Sequence, residues 1–345
     1  MRGQIARFTM SHLPNELLTN LLRDVSRSFY LTLRVLPGGV RTQIGLAYLL
    51  ARATDTIADT NLVPLEERLR SLDLLRGRIL GGNTTPVDFG GLAGRQGSTA
   101  ERILLERIEE AVTALGKFSY SDQQRVREVI ETITGGQELD LRRFGGASEG
   151  TVVALQSDAE LDDYTYRVAG CVGEFWTRIC RAHLLATAGT DEGYLLKNGV
   201  RFGKGLQLVN ILRDLPGDLR QGRCYLPADG LAAAGLEPAA LKAPGTMDRF
   251  RPIYNGYLDV AQAHLAAGWD YTNHLPVRCF RLRLACALPV LIGARTINGL
   301  RRGNVLDARQ RIKVSRAEVR SLVWRLVVWY PTPGAWGRLF SQAVR

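Results

Sequence analysis

Two pairs of aspartates, Asp55 with Asp59 and Asp214 with Asp218, stand four residues apart at the ends of apolar stretches. Residues at that spacing on a helix project from one face, so each pair would present two carboxylates side by side. Like charges so placed destabilise a helix by about 0.2–0.5 kcal/mol unless a cation binds them. Each pair closes an otherwise apolar stretch, where carboxylates need compensation. Asn210, one turn before Asp214, adds a further oxygen donor. Oxygen donors without histidine or thiolate suit Mg²⁺, with Mn²⁺ as a substitute, and Mg²⁺ commonly bridges one or two carboxylates to substrate phosphates. Arg52, Arg213, Arg220 and Arg223 flank the two pairs and would hold the remaining phosphate oxygens by forked, charge-assisted hydrogen bonds. One Asp-x-x-x-Asp alone usually marks a solvated helix end; two, each with arginines beside it, read together as a metal and diphosphate site.

The bulk of the sequence narrows the alternatives. Its 345 residues are 46% hydrophobic and 23% charged, ordinary for a folded protein with a sizeable core. The five cysteines and four histidines are dispersed, which argues against a disulfide framework or a histidine-bound metal. No apolar run is long enough to span a bilayer, and residues 1–10 lack a signal-peptide core, so a cytoplasmic protein is expected. A net charge of +11 attracts polyanions of any kind. The arginines are spread along the chain, which disfavours a nucleic-acid partner. A monomer is expected.

The elements that would position the aspartates are helices. Apolar residues recur at three- and four-residue spacing from Asn15 to Leu36, and again from about Val40 to Thr60. Pro64 opens a third helix through Leu80, and residues 81–99, rich in Gly, Thr and Pro, read as a loop. Helical patterns follow at about 100–116, 122–144, 158–187, 201–215, 250–274, 277–302 and 316–330. Pro216 and Gly217 are expected to end the helix that carries Asp214, leaving Asp218 on a turn. Alternating strand patterns are nearly absent. The expectation is a single all-α domain over residues 1–345, with its core from about 15 to 330.

At this point the residues match a known family. The chain resembles the squalene and phytoene synthases from roughly Ser26 to Val319, with the family's segments in order. These are Ser26-Arg27-Ser28-Phe29; Tyr48, Arg52, Asp55 and Asp59; Tyr164 to Gly173 with Val168-Ala169-Gly170 at its centre; and Gln207 to Asp218 followed by Gly222-Arg223 and Tyr225. The resemblance implies an isoprenoid-synthase helical bundle around a deep central cavity, with the aspartate pairs facing each other across its mouth. It implies Mg²⁺ on Asp55, Asp59, Asn210, Asp214 and Asp218, and diphosphate on Arg27, Arg52, Arg213, Arg223 and Gln207, with Tyr48 lining the same region. It also assigns catalysis to Asp55, Asp214 and Arg52, with Tyr164 handling a proton. The implied partners are prenyl diphosphates. The implied reaction is the head-to-head joining of two of them, ending in squalene when NADPH is used and in phytoene, dehydrosqualene or presqualene diphosphate when it is not.

Two segments favour squalene by resemblance. Leu284 to Pro289 is similar to a squalene-synthase segment, although Ala285 replaces an aromatic residue. Lys313 and Arg316 belong to a basic cluster near where squalene synthases hold NADPH, and a solvated helix start explains the same charges. Gly217 stands where squalene synthases usually carry a glutamate. Gly170 and Gly173 are explained equally by close helix packing and by close approach of substrate. The arginine-studded apolar C-terminus, Leu322 to Tyr330 with Trp336 and Phe340, reads either as a helix docked peripherally on the inner face of a membrane or as a final core helix. A catalytically silent relative would be signalled by loss of an aspartate pair, and both pairs are intact.

Overall fold

The computed structural model describes residues 20–26, 29–60, 62–186, 189–307, 309–310 and 312–345. Arg27, assigned to diphosphate above, lies outside these. The helices in chain order are α1 (Leu22–Ser26), α2 (Phe29–Val35), α3 (Gly38–Asp59), α4 (Leu65–Leu80), α5 (Gly90–Ala93), α6 (Thr99–Glu106), α7 (Ile108–Leu115) and α8 (Tyr120–Arg143). There follow α9 (Asp158–Thr165), α10 (Cys171–Cys180), α11 (Glu192–Arg220), α12 (Ala228–Ala232), α13 (Met247–His274), α14 (Phe280–Arg302), α15 (Arg316–Trp329) and α16 (Pro333–Ala343). The all-α expectation holds. Departures include a short helix inside the predicted loop, a break at Arg107 within the predicted 100–116 helix, the short α12 and the final α16. Two two-residue strands, β1 (Val153–Ala154) and β2 (Arg223–Cys224), pair in parallel.

Local sequence explains most boundaries. Ser119 caps α8 by accepting the backbone N–H of Asp122, and Ser315 with Glu318 forms a full capping box on α15. Leu46, Leu49, Leu50, Ala53 and Ile57 form a fully buried face of α3 opposite the one that carries the first aspartate pair. That helix is central, packed against α4, α7 and α8.

Helix α11 corrects the prediction made from Pro216. It runs unbroken from Glu192 to Arg220, so Asp218 sits on the helix one turn beyond Asp214 and not on a turn. A proline inside a helix removes one N–H and leaves the carbonyl four residues back without its partner. That carbonyl belongs to Leu212, and the buried Tyr254 hydroxyl of α13 donates to it at 2.9 Å. The tertiary bond supplies what the proline withholds.

The α10–α11 contact is made backbone to backbone. A Cβ on Gly173 would stand 1.9 Å from the Gly199 carbonyl oxygen, and one on Gly203 would stand 2.1 Å from that of Ala169. Close packing therefore demands glycine at 173, which also lines the cavity described below. Between α9 and α10 the chain takes a π-helical turn, Tyr166–Gly170. Such turns are often found at functional sites, and this one turns Val168 and Ala169 toward the same cavity.

Replacing Tyr254 with phenylalanine leaves the Leu212 carbonyl buried without a partner. The expected cost is about 1–3 kcal/mol in a denaturant titration at unchanged slope.

Candidate active site

Helices α3, α8, α10, α11 and α14 enclose a cavity of about 580 Å³. Its walls are largely apolar, with Ile44, Ala47, Val129, Ile133, Phe175 and Phe202 among them. It extends along α3 from Asp59 to Ile44, roughly 22 Å at 1.5 Å per residue. At the Asp59 end it opens into a polar mouth of about 380 Å³ lined by Asp55, Asp59, Tyr164, Gln207, Asn210, Asp214, Asp218, Arg223 and Tyr225. The two aspartate pairs, 155 residues apart by number from Asp59 to Asp214, thus meet on facing walls of one chamber.

The other expected residues divide. Tyr48 and Arg52 line the cavity just inside the mouth. Arg52 forks between Asp55, at 2.6 Å, and Glu101 of α6. Arg223 and Gln207 line both chambers. Arg223 is aimed inward by Gly222, whose φ of +77° and whose contact with Ser148 exclude a side chain. Arg213 is a correction: it lines neither chamber and forms a two-pronged ion pair with its neighbour Asp214 at 2.5 and 2.8 Å. Lys313 and Arg316 are exposed and line neither chamber. Gly217, Gly170 and Cys171 also stay out of the lining, while Phe175 and Trp176 form part of the cavity wall.

Asp140 and Gln137, which line the cavity, had no sequence signal of their own. Asp140, near the end of α8, accepts the Tyr225 hydroxyl at 3.1 Å and stands 3.9 Å from Arg223. Its second oxygen, Oδ1, is buried without a partner. The Tyr225 ring stacks on Tyr164 with centroids 4.7 Å apart. Gln137, one turn before Asp140, lines the cavity with a buried, unpartnered carbonyl oxygen.

The electrostatics reflect an excess of carboxylate. Water reaches Asp59 and Asp218 through the mouth, yet protein crowds them from most directions. That desolvation, then the charge of the paired aspartate, raises each to about 7. Asp218 also feels Asp59 across the chamber. Asp55 is raised by burial against the pull of Arg52. Asp140 is raised to about 6, burial outweighing the attraction of Arg223. Burial, with Tyr225 and Asp140 adding to it, pushes the Tyr164 hydroxyl well above its ordinary range, so Tyr164 is neutral and can act only as a hydrogen-bond donor or relay.

A hard divalent cation fits this donor set. The donors are all oxygen, they repel one another, and one buried carboxylate oxygen lacks any partner. Among the described residues no three acidic, histidine or cysteine side chains converge on a single point. The carboxylates are split between two walls, so a cation held there would need further oxygens from water or from a bound phosphate.

The family model described as squalene/phytoene synthase matches residues 22–318. The chain belongs to the squalene/phytoene synthase family. It is 28% identical over 251 residues to a presqualene diphosphate synthase from Rhodopseudomonas palustris, covering 73% of this chain and 76% of that one. It is 28% identical over 236 residues to a bifunctional lycopene cyclase/phytoene synthase from Blakeslea trispora, covering 64% of this chain. The match spans about a third (35%) of that relative's length. In fold it matches the structure of TcSQS bound to the ligand E5700, with a TM-score of 0.73 at 20% identity over 96% of this chain and 97% of that one.

The charge repulsion has a measurable consequence. With their pKa values near 7 in the fold and near 3.8 unfolded, Asp59 and Asp218 bind more protons folded than unfolded between those limits. Their contribution to stability is therefore retained below about pH 4 and lost as pH rises through 7. In a chelator, Asp59→Asn is expected to melt close to the wild-type temperature below about pH 4 and progressively above it as the pH rises to 8.

Proposed function

We propose that this protein joins two molecules of farnesyl diphosphate head to head, forming presqualene diphosphate with Mg²⁺ as cofactor. The observation that carries this is the sharp division of one enclosure into an anionic, arginine-bearing mouth and an apolar channel. An ionic head and a long hydrocarbon tail would lie in its two parts. The presqualene diphosphate synthase relative, matched over most of both chains, supports the same product.

Asp55 and Asp59 on one wall, with Asn210, Asp214 and Asp218 on the other, would hold the metal. When bound, Mg²⁺ supplies positive charge to the departing diphosphate. Arg223, at the junction of the two chambers, and Gln207 beside it donate hydrogen bonds to the same oxygens. Arg52 draws Asp55 toward its ionised form and orients it through its fork to Asp55 and Glu101. Loss of diphosphate breaks the C1–O bond of one substrate and leaves an allylic cation. The apolar walls keep water from quenching it. Phe175, Trp176 and Phe202 offer ring faces that stabilise positive charge. The double bond of the second substrate then attacks, and loss of one proton closes a cyclopropane. Neutral Tyr164, stacked on Tyr225 and through it bonded to Asp140, forms a relay that can carry that proton to a carboxylate.

A reductive second half, giving squalene with NADPH, is the second reading. It is favoured by the placement of Ala285, Cys286 and Pro289, from the squalene-synthase-like segment, on the cavity wall. It loses the support of Lys313 and Arg316, which stand away from both chambers.

The test is mass analysis of products from purified protein with farnesyl diphosphate and Mg²⁺, with and without NADPH. Presqualene diphosphate in both arms is expected. Squalene only with NADPH supports the second reading, and turnover confined to geranylgeranyl diphosphate, giving phytoene, contradicts the substrate assignment. Asp59→Asn and Asp218→Asn should each lower kcat/KM on the order of 10³-fold, because each removes a carboxylate that holds the metal.

A further inference from the structure

Neither basic nor acidic residues are evenly spread along the chain. Residues 275–345 hold fourteen lysines and arginines against two acids, Asp307 and Glu318, an excess of twelve. Residues 1–274 hold 31 basic and 32 acidic residues and are close to neutral. Essentially all of the net charge of +11 therefore sits on α14, α15, α16 and their connections.

The same region is where the molecule exposes apolar side chains. Twelve large hydrophobic residues are exposed among those described, and seven of them are Leu31, Val277, Phe280, Val323, Trp324, Val327 and Val328. Named contacts join the segments that carry them. The Tyr330 hydroxyl donates to the Val277 carbonyl, and the Tyr330 and Phe280 rings meet edge to face at 5.7 Å. Arg281 donates to the Val35 carbonyl at 2.8 Å, joining the start of α14 to α2, which carries Leu31. Helix α15 divides between two duties. Leu322 and Leu326 are buried, whereas Val323, Val327 and Val328 stand out with Trp324, which is 61% exposed. Arg320 and Arg316 continue the Trp324 row at four-residue spacing, both exposed.

We propose that this face, centred on Trp324 of α15, docks on an anionic lipid surface. A row of aliphatic side chains around an exposed tryptophan, rimmed by arginines, is the composition that enters the headgroup boundary of a bilayer. Anionic headgroups complement the charge, and no helix among the described residues is long and apolar enough to cross a membrane. A second copy of the chain would set two strongly positive faces against each other. A nucleic acid would meet the arginines but leave the valines and Trp324 without a partner. The docking explains a further placement. Thr32 of α2 and Ala285 and Cys286 of α14 line the cavity, so the helices whose outer faces carry the patch also wall the apolar channel. A hydrocarbon product leaving between them enters lipid directly. The docking itself rests on charge and exposure alone and does not require the reaction proposed above.

Cosedimentation of the full-length protein with phosphatidylglycerol-containing and pure phosphatidylcholine vesicles tests it. At least tenfold stronger partitioning onto the anionic vesicles, weakened by 0.5 M salt, is expected. At roughly 1 kcal/mol, or about fivefold, per basic residue, Arg316→Glu with Arg320→Glu should weaken partitioning on the order of 25-fold or more. Trp324→Ser with Val328→Ser should weaken it about tenfold or more while leaving turnover of dissolved substrate unchanged. Equal binding to neutral vesicles, no binding to either, or wild-type binding by both double variants would overturn the proposal. So would salt-resistant dimerisation in sedimentation velocity that the Trp324 and Val328 substitutions abolish.

Discussion

Everything at the mouth follows from placing carboxylates in a chamber that cannot fully solvate them. Asp59 and Asp218 face each other from α3 and α11, each already beside a like charge, with Asp140 below them. Arg223 and Arg52 offset part of the repulsion but not all of it, since the carboxylates remain raised despite both arginines. The arrangement is poised for added positive charge. That is a stability penalty in the empty protein and a source of binding energy for a cation carried in with a diphosphate.

The scaffold has to hold two helices rigidly enough to keep those charges apart. Helix α3 does so by burying the face opposite its aspartates. Helix α11 does so by two devices, the glycine contacts that press it against α10 and the Tyr254 bond that carries it through Pro216. Were α11 to end at the proline, Asp218 would leave the helix face that aligns it with Asp214 and Asn210. The single pair of two-residue strands is small but serves the same end, fixing Gly222 and Arg223 at the chamber's edge.

Much of this was legible in the residues. The four-residue spacing of the aspartates, the apolar run of α3 and the order of the family segments were enough to anticipate an all-α cavity with two facing pairs. Asp140 was not, because it is a lone residue whose partner, Tyr225, lies 85 positions away. The continuation of α11 was hidden for the same reason: the hydroxyl that satisfies Leu212 comes from 42 residues downstream. Arg213 misled because proximity in sequence to Asp214 does not say which way a side chain points, and here it folds back on its neighbour. The charge asymmetry was visible throughout, as a shortage of acids joined to a surplus of scattered bases in residues 275–345.

The central claim is that the two walls become a metal site only when a diphosphate bridges them. Titration of the protein with Mn²⁺ followed by electron paramagnetic resonance, with and without inorganic diphosphate, tests that claim most directly. The account predicts weak binding of Mn²⁺ alone and binding at least tenfold tighter in the presence of diphosphate. Tight stoichiometric binding without diphosphate, or no enhancement when it is added, would contradict it.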